Sequence, residues 1–172
     1  MVHQRSVLEF ARLTQSCPEI IHCQDAHTAI LPVMAQKDPQ YTAIFRNSAF
    51  VVTIHNAGPG YRQLIPGIDR ARELTGLSND VLSPGMVNGL LEPFLLASSY
   101  AHLTTVSPWY AEELSRHEYG TMTEGLSSEF ERRGIHITGI LNGIDYHRYE
   151  PPDTSRSLLP FPYDPRINDL DG

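Results

Sequence analysis

The sequence is poor in sulfur, poor in basic residues and free of long apolar runs, and each shortage removes a class of function. Among 172 residues there are two cysteines, Cys17 and Cys23, six positions apart. No second pair completes a zinc site or a disulfide framework, so reduced thiols and a cytoplasmic setting are the simplest reading. Nothing before them resembles the apolar core of a secretory leader. Thirteen Lys and Arg stand against 20 Asp and Glu, a formal charge of -7, and no stretch collects the cations into a stripe. A phosphate backbone would find no track to follow, and nucleic acid is not an expected partner. The most apolar stretch, 90–96, is broken by Glu92 and Pro93 and falls far short of the roughly 20 residues that span a bilayer. No membrane partner is expected either. The G-x-S-x-G elbow, the Walker loop, the G-x-G-x-x-G fingerprint and the H-E-x-x-H helix are also missing, which sets aside several common hydrolase, nucleotide and zinc-protease mechanisms.

What is present is a rhythm. Hydrophobic residues make up 41% of the chain, enough for one domain with a buried core. Four short runs rich in β-branched and apolar residues, 19–23, 50–54, 102–106 and 135–141, read as strands. Between them lie segments of helical character. Over 5–16, Leu8, Ala11 and Val7 are candidates for one helical face, and over 84–101 Met86, Leu90, Phe94 and Leu95 recur at three- and four-residue spacing. Ser83-Pro84 and Ser107-Pro108 each place a good N-cap before a proline at the first helical position, so both read as helix starts. Pro93 predicts a kink or break over 88–92. Strands alternating with helices imply right-handed crossovers, hence an α/β, doubly wound, mostly parallel Rossmann-like sheet with helices on both faces. Residues 1–150 read as this domain and 151–172, with five prolines and no period, as an extended linker.

In such sheets a ligand binds beyond the carboxyl ends of the strands, where loops and helix starts offer unpaired N–H groups. All four expected ends are polar: Gln24-Asp25 with His22 and His27 nearby, His55-Asn56 before Ala57-Gly58-Pro59-Gly60, Ser107-Pro108, and Asn142-Gly143-Ile144-Asp145. Each has a plainer reading. Ser107 reads as a helix cap, Asn142-Gly143 as a turn, His22 as a core histidine, and Asp25 as a cap for a helix starting near Ala26. His55-Asn56 resists that treatment, because a histidine and an amide leave a buried strand into a loop with two glycines, which lets backbone approach a ligand. His22, Asp25 and His27 are ordinary zinc-ligand types, which keeps a small metallohydrolase among the alternatives, but strand alternation argues against their convergence.

At these residues the sequence resembles the glycogen and starch synthases that use ADP-glucose. The stretch 20–29 is similar to the family's hhHxHDWHTA, where h is apolar, and 52–56 to hTIHN. Residues 104–111 with 118–120 are similar to TTVSPTYAxEI followed by EYG, and 139–145 to GILNGID. Four blocks in order, from about Phe10 to Pro151, make a specific signal. Gln24 and Ala26 depart from the usual His and Trp, and Ala57–Gly60 from the usual LAYQG, which places acceptor contacts at these loops in question. The family's KTGGLGD strand and loop have no counterpart, nor does its second, nucleotide-sugar-binding domain.

The resemblance implies one incomplete acceptor-side domain of a two-domain GT-B glycosyltransferase. Its reaction would be glucosyl transfer from ADP-glucose to the non-reducing end of an α-1,4-glucan with retention. By the same resemblance His55, with Asn56 beside it, and Asn142 would bind the transferred glucose and Asp25 would lie on the acceptor side. No catalytic residue is assigned, no cofactor or metal is expected, and the chain alone is expected to be inactive. Early strands missing from the sheet would leave an uncovered edge. Two alternatives stand beside this: a non-catalytic glucan- or sugar-binding α/β module, and a retaining glycosyltransferase using another nucleotide-sugar such as UDP-glucose.

Overall fold

Four of the apolar runs form one parallel sheet. In the computed structural model, which describes residues 1–145, the order is α1 (Val2–Thr14), β1 (Ile20–Gln24), α2 (Leu31–Lys37), β2 (Ala49–Ile54), β3 (Ile65–Pro66), α3 (Ile68–Thr75), α4 (Asn79–Leu82), β4 (Met86–Val87), β5 (Leu90–Leu91), α5 (Pro93–Ala97), β6 (His102–Thr105), α6 (Pro108–Leu114), α7 (Leu126–Arg133) and β7 (Ile137–Gly139). β1, β2, β6 and β7 pair in that order, every pair parallel. The expected strands and sheet type are therefore observed. The chain divides into two units, Met1–Leu141 and Asn142–Gly172. The expected linker over 151–172 lies outside the described residues.

The pleat sorts side chains onto two unlike faces. Cys23, Phe50, Val52, Ile54, Leu103 and Ile137 are buried on one, in a core shared with Leu8, Met34, Phe94, Leu95 and Phe130. The other face carries hydroxyls and imidazoles. His22 Nε2 lies 2.6 Å from Thr53 Oγ1, Thr53 Oγ1 lies 2.7 Å from Thr104 Oγ1, and His102 Nε2 lies 2.9 Å from Thr138 Oγ1. His22 is exposed, so the reading of it as a core histidine is corrected: alternation sends Cys23 inward and His22 out.

The helix expected over 84–101 is also corrected. Ser83-Pro84 begins only a single 3-10 turn, Ser83–Gly85. Asn88 and Gly89 then take φ of 50° and 79°, the left-handed pair that closes a two-residue hairpin, and Val87 pairs with Leu90 across it. β5 pairs on its other side with β3, giving a small antiparallel sheet. Pro93 does not kink a helix but starts one, with the Glu92 carboxylate accepting the Phe94 N–H as N-cap. Ser107 caps α6 as expected, its hydroxyl accepting the Tyr110 N–H at 3.0 Å. In α1 the inward face is Gln4, Leu8 and Ala11, while Val7 points outward; the spacing of four from Leu8 selects Gln4.

One buried ion pair ties the segments after β2 to this hairpin. Arg62 donates to Glu92 at 2.6 Å and to the carbonyls of Thr123 and Glu124 at 2.8 and 2.9 Å. Arg62 is 6% exposed and Glu92 fully buried. Burial pushes the Glu92 carboxyl above its ordinary range, and the Arg62 charge opposes that. Among the described residues no helix is long and apolar enough to cross a membrane.

Candidate functional site

Adjacent parallel strands end on one side of the sheet, and this brings Gln24, Asp25, His55 and Ser107 to a common rim. Asp25 leaves β1 with a left-handed φ of 58°, its N–H donating to the Thr53 carbonyl at 2.8 Å. The turn carries its carboxylate across to β2, where Oδ1 accepts the backbone N–H of His55 at 2.8 Å. Left-handed backbone costs an L-residue about 1–2 kcal/mol, somewhat less for Asp, whereas a hydrogen bond to a charged group is worth about 1.5–3 kcal/mol. The bond outweighs the strain, so Asp25 fixes the end of β2. It caps no helix: residues 26–30 form turns.

The His55 ring is exposed, and its Nε2 lies 2.7 Å from Gln24 Oε1. With the amide oxygen as acceptor, Nε2 is the donor of this bond, which orients the ring. Gln24 is held in turn by Thr28, whose hydroxyl bridges the Gln24 N–H and carbonyl at 2.7 Å each. Asn56 uses Oδ1 to accept the Gly58 N–H at 2.8 Å, an Asx turn, which leaves its NH2 group as the part available to a ligand. The next N–H, of Ala57, donates to the Tyr110 hydroxyl at 2.9 Å. Asn56, Gly58, Tyr110, Glu113, Tyr119, Met122 and Thr123 enclose a cavity of about 180 Å³.

The third strand end is set by a close approach. A Cβ on Gly139 would collide with the Ser107 carbonyl oxygen and the Pro108 backbone, so only glycine lets β7 pass the start of α6. The rim is electronegative. Burial raises the Tyr110 phenol above its usual range, the Ala57 N–H opposes this, and the charges of Glu113 and Asp25 add to it. Burial likewise pushes the Cys23 thiol up to about 11, so this free cysteine is an inert core residue.

Of the residues expected in the site, Asp25, His55 and Asn56 meet at this rim. Asn142 belongs to the second unit, where 142–145 is exposed. His22, Asp25 and His27 do not make a metal centre: among the described residues no group of three His, Cys, Asp or Glu could hold an ion. Gln24 and Tyr110 were not expected in the site. Gln24 looked only like a departure from a motif, and Tyr110 was hidden because its hydroxyl works from the first turn of a helix whose cap drew attention.

A parallel α/β sheet presenting a histidine, an amide and a carboxylate from neighbouring strand ends is the arrangement of a domain that binds ligands at its strand ends. Residues 2–129 match the family described as the starch synthase catalytic domain, and the chain belongs to that family of glycosyltransferases. It is 33% identical over 155 residues to the glycogen synthase of Thermodesulfovibrio yellowstonii, covering 87% of this chain and 29% of that protein. The glycogen synthase of Exiguobacterium sibiricum is 32% identical over 160 residues, covering 90% and 32%. Among solved structures, the catalytic domain of starch synthase IV from Arabidopsis thaliana, bound to ADP and acarbose, superposes with a TM-score of 0.68 at 27% identity, over 94% of this chain and 32% of that one. The chain thus spans about a third of the length of these relatives, and the resemblance read from four motifs is confirmed.

Proposed function

We propose that this chain is the acceptor-side portion of a glycogen or starch synthase that transfers glucose from ADP-glucose to the non-reducing end of an α-1,4-glucan with retention. The observation that supports this most is the held His55: its backbone is pinned by Asp25 and its ring by Gln24 at the end of a central strand, in a chain of the starch synthase family. A pre-aligned imidazole can hydrogen-bond a hydroxyl of the transferred glucose without reorganising as the transition state forms. The Asn56 NH2 group contributes a further hydrogen bond to that sugar, and Asp25 keeps negative charge on the acceptor side. ADP is favoured over uridine donors because the Arabidopsis neighbour was bound to ADP.

Departure of the diphosphate needs positive charge, which this acidic rim does not supply. The reading assigns that charge to cationic side chains of a second domain rather than to a metal, so a chelator should leave turnover of the whole protein unchanged. Purified chain given ADP-glucose and glycogen should extend no glucan; detectable extension would refute the division of labour. In a complete protein carrying this segment, His55→Ala should lower kcat/KM by about a hundredfold, the loss typical of one preorganised donor. Unchanged turnover would remove His55 from the site. Co-sedimentation of the chain with glycogen, combined with an active whole protein, separates a synthase from a purely binding module.

A further inference from the structure

Trp109 is the single tryptophan of the chain, and 66% of it is exposed. A lone apolar side chain on a surface is ordinary, but this one is held in place. Its backbone lies between Ser107, which caps the helix through the Tyr110 N–H, and Tyr110, whose hydroxyl accepts the Ala57 N–H. The crowding of Gly139 against Ser107 and Pro108 fixes the residue immediately before it. The indole itself is tethered, Nε1 donating to Glu113 Oε1 at 3.0 Å one turn along α6. Its polar edge is therefore satisfied, and two-thirds of this largely apolar side chain remains in water.

The surroundings narrow what could cover that face. Glu113 also lines the cavity of about 180 Å³ that contains Asn56. That volume is below the roughly 300–1,000 Å³ of an enclosed small-molecule site, so it suits one unit of a longer ligand lying across the surface. Glu113 bonds the indole, Glu112 and Arg116 of the same segment neutralise each other in a pair at 3.0 Å, and Asp25 acts on the same Tyr110 as Glu113. An anionic nucleotide would meet net negative charge here. A neutral polyhydroxyl chain would not, and a glucopyranose offers a face of C–H groups to an aromatic ring and hydroxyls to Glu113.

We propose that Trp109 is a stacking platform for a glucose ring of the α-glucan acceptor, a subsite beside the rim that holds His55. The inference rests on the reading that this chain handles an α-1,4-glucan. Because the 172-residue chain has no other tryptophan, its emission reports on this ring alone. The 172-residue chain should show a saturable change in tryptophan emission when titrated with maltoheptaose, and none with ADP. Trp109→Ala should weaken glycogen co-sedimentation by about tenfold with an unchanged melting temperature, and Trp109→Phe should retain part of the affinity. Sedimentation of wild type and Trp109→Ala to the same extent, with silent emission, would overturn the stacking role and leave the glucan reading intact. An emission change with ADP but not maltoheptaose would overturn it in favour of a base-stacking site. Neither emission change nor sedimentation would overturn both.

Discussion

Two polar clusters flank the segment that leaves β2, and they are built on opposite terms. At the rim, Asp25 and Gln24 hold a histidine whose ring stays in contact with solvent. A few residues on, Arg62 and Glu92 meet in the interior with almost no exposure. The buried pair anchors the loop by connecting it to the hairpin and to the 123–124 carbonyls; the exposed cluster spends its bonds on orientation and leaves ligand-facing atoms unshielded. Charge is buried where the fold must be fixed and kept wet at the proposed sugar site.

Breaking the buried side should have the larger effect. Glu92→Gln leaves the Arg62 guanidinium uncompensated in the core, and loss of one partner of such a pair costs about 3–5 kcal/mol. Urea unfolding should show it, and replacement of both residues by apolar ones of similar volume should recover most of the loss. A Glu92→Gln protein of wild-type stability would show that the pair fixes nothing. Next comes the close approach under the rim. Gly139→Ala drives a methyl into the Ser107 and Pro108 backbone, and because no flexible side chain can yield there, about 3 kcal/mol is expected, the upper part of the overpacking range. A loss below a tenth of that would mean β7 and α6 are free to separate.

The rim's own contribution is smaller. Asp25→Ala removes the acceptor of the His55 N–H and should cost about 2 kcal/mol. Asp25→Asn keeps a carbonyl oxygen in place and should cost about half as much or less. Equal destabilisation by both would show that the bond to His55 is not what the carboxyl provides.

Much of this was legible in the chain, for reasons that can be traced to particular residues. The four parallel strands declared themselves because 50–54 and 102–106 are short, β-branched and bounded by turn residues, a local signal that the fold does not contradict. Asp25, His55 and Asn56 were found because parallel topology places every strand end on one side, so sequence order alone predicts their convergence. The hairpin over 86–91 was misread although Asn88-Gly89 is a strong turn signal: Met86, Leu90, Phe94 and Leu95 happen to fall at helical spacing, and the period outweighed the dipeptide. His22 was misjudged because the run 19–23 does not alternate: Ile20, Ile21 and Cys23 leave open which parity faces the core. The Arg62–Glu92 pair, 30 positions apart in sequence, had no local pattern to announce it.

The smallest effect tests the contrast through pH. Glu129 accepts from Arg132 at 2.5 Å and from Arg133 at 3.0 Å, and Arg133 also reaches the Pro84 carbonyl. These guanidinium bonds, Arg132 first, hold its carboxyl below the ordinary value of 4.5 despite some burial. In the window beneath 4.5 the unfolded chain binds more protons at this position than the folded one. The stabilisation by Glu129 is therefore complete above 4.5 and is lost as pH falls through the lowered pKa. Glu92 has the reverse sign: its raised carboxyl binds protons better folded than unfolded, so its contribution declines as pH rises above 4.5 toward the raised pKa. Glu129→Gln should cost about 0.5 kcal/mol at neutral pH, the worth of a surface helix pair or two, and this difference from wild type should shrink as pH falls below 4.5 and vanish once it is below the lowered pKa. Thermal melts across that range decide it. A difference that persists unchanged in acid would mean that Glu129 acts through packing, and that the two carboxylates differ only in depth and not in the direction of their linkage.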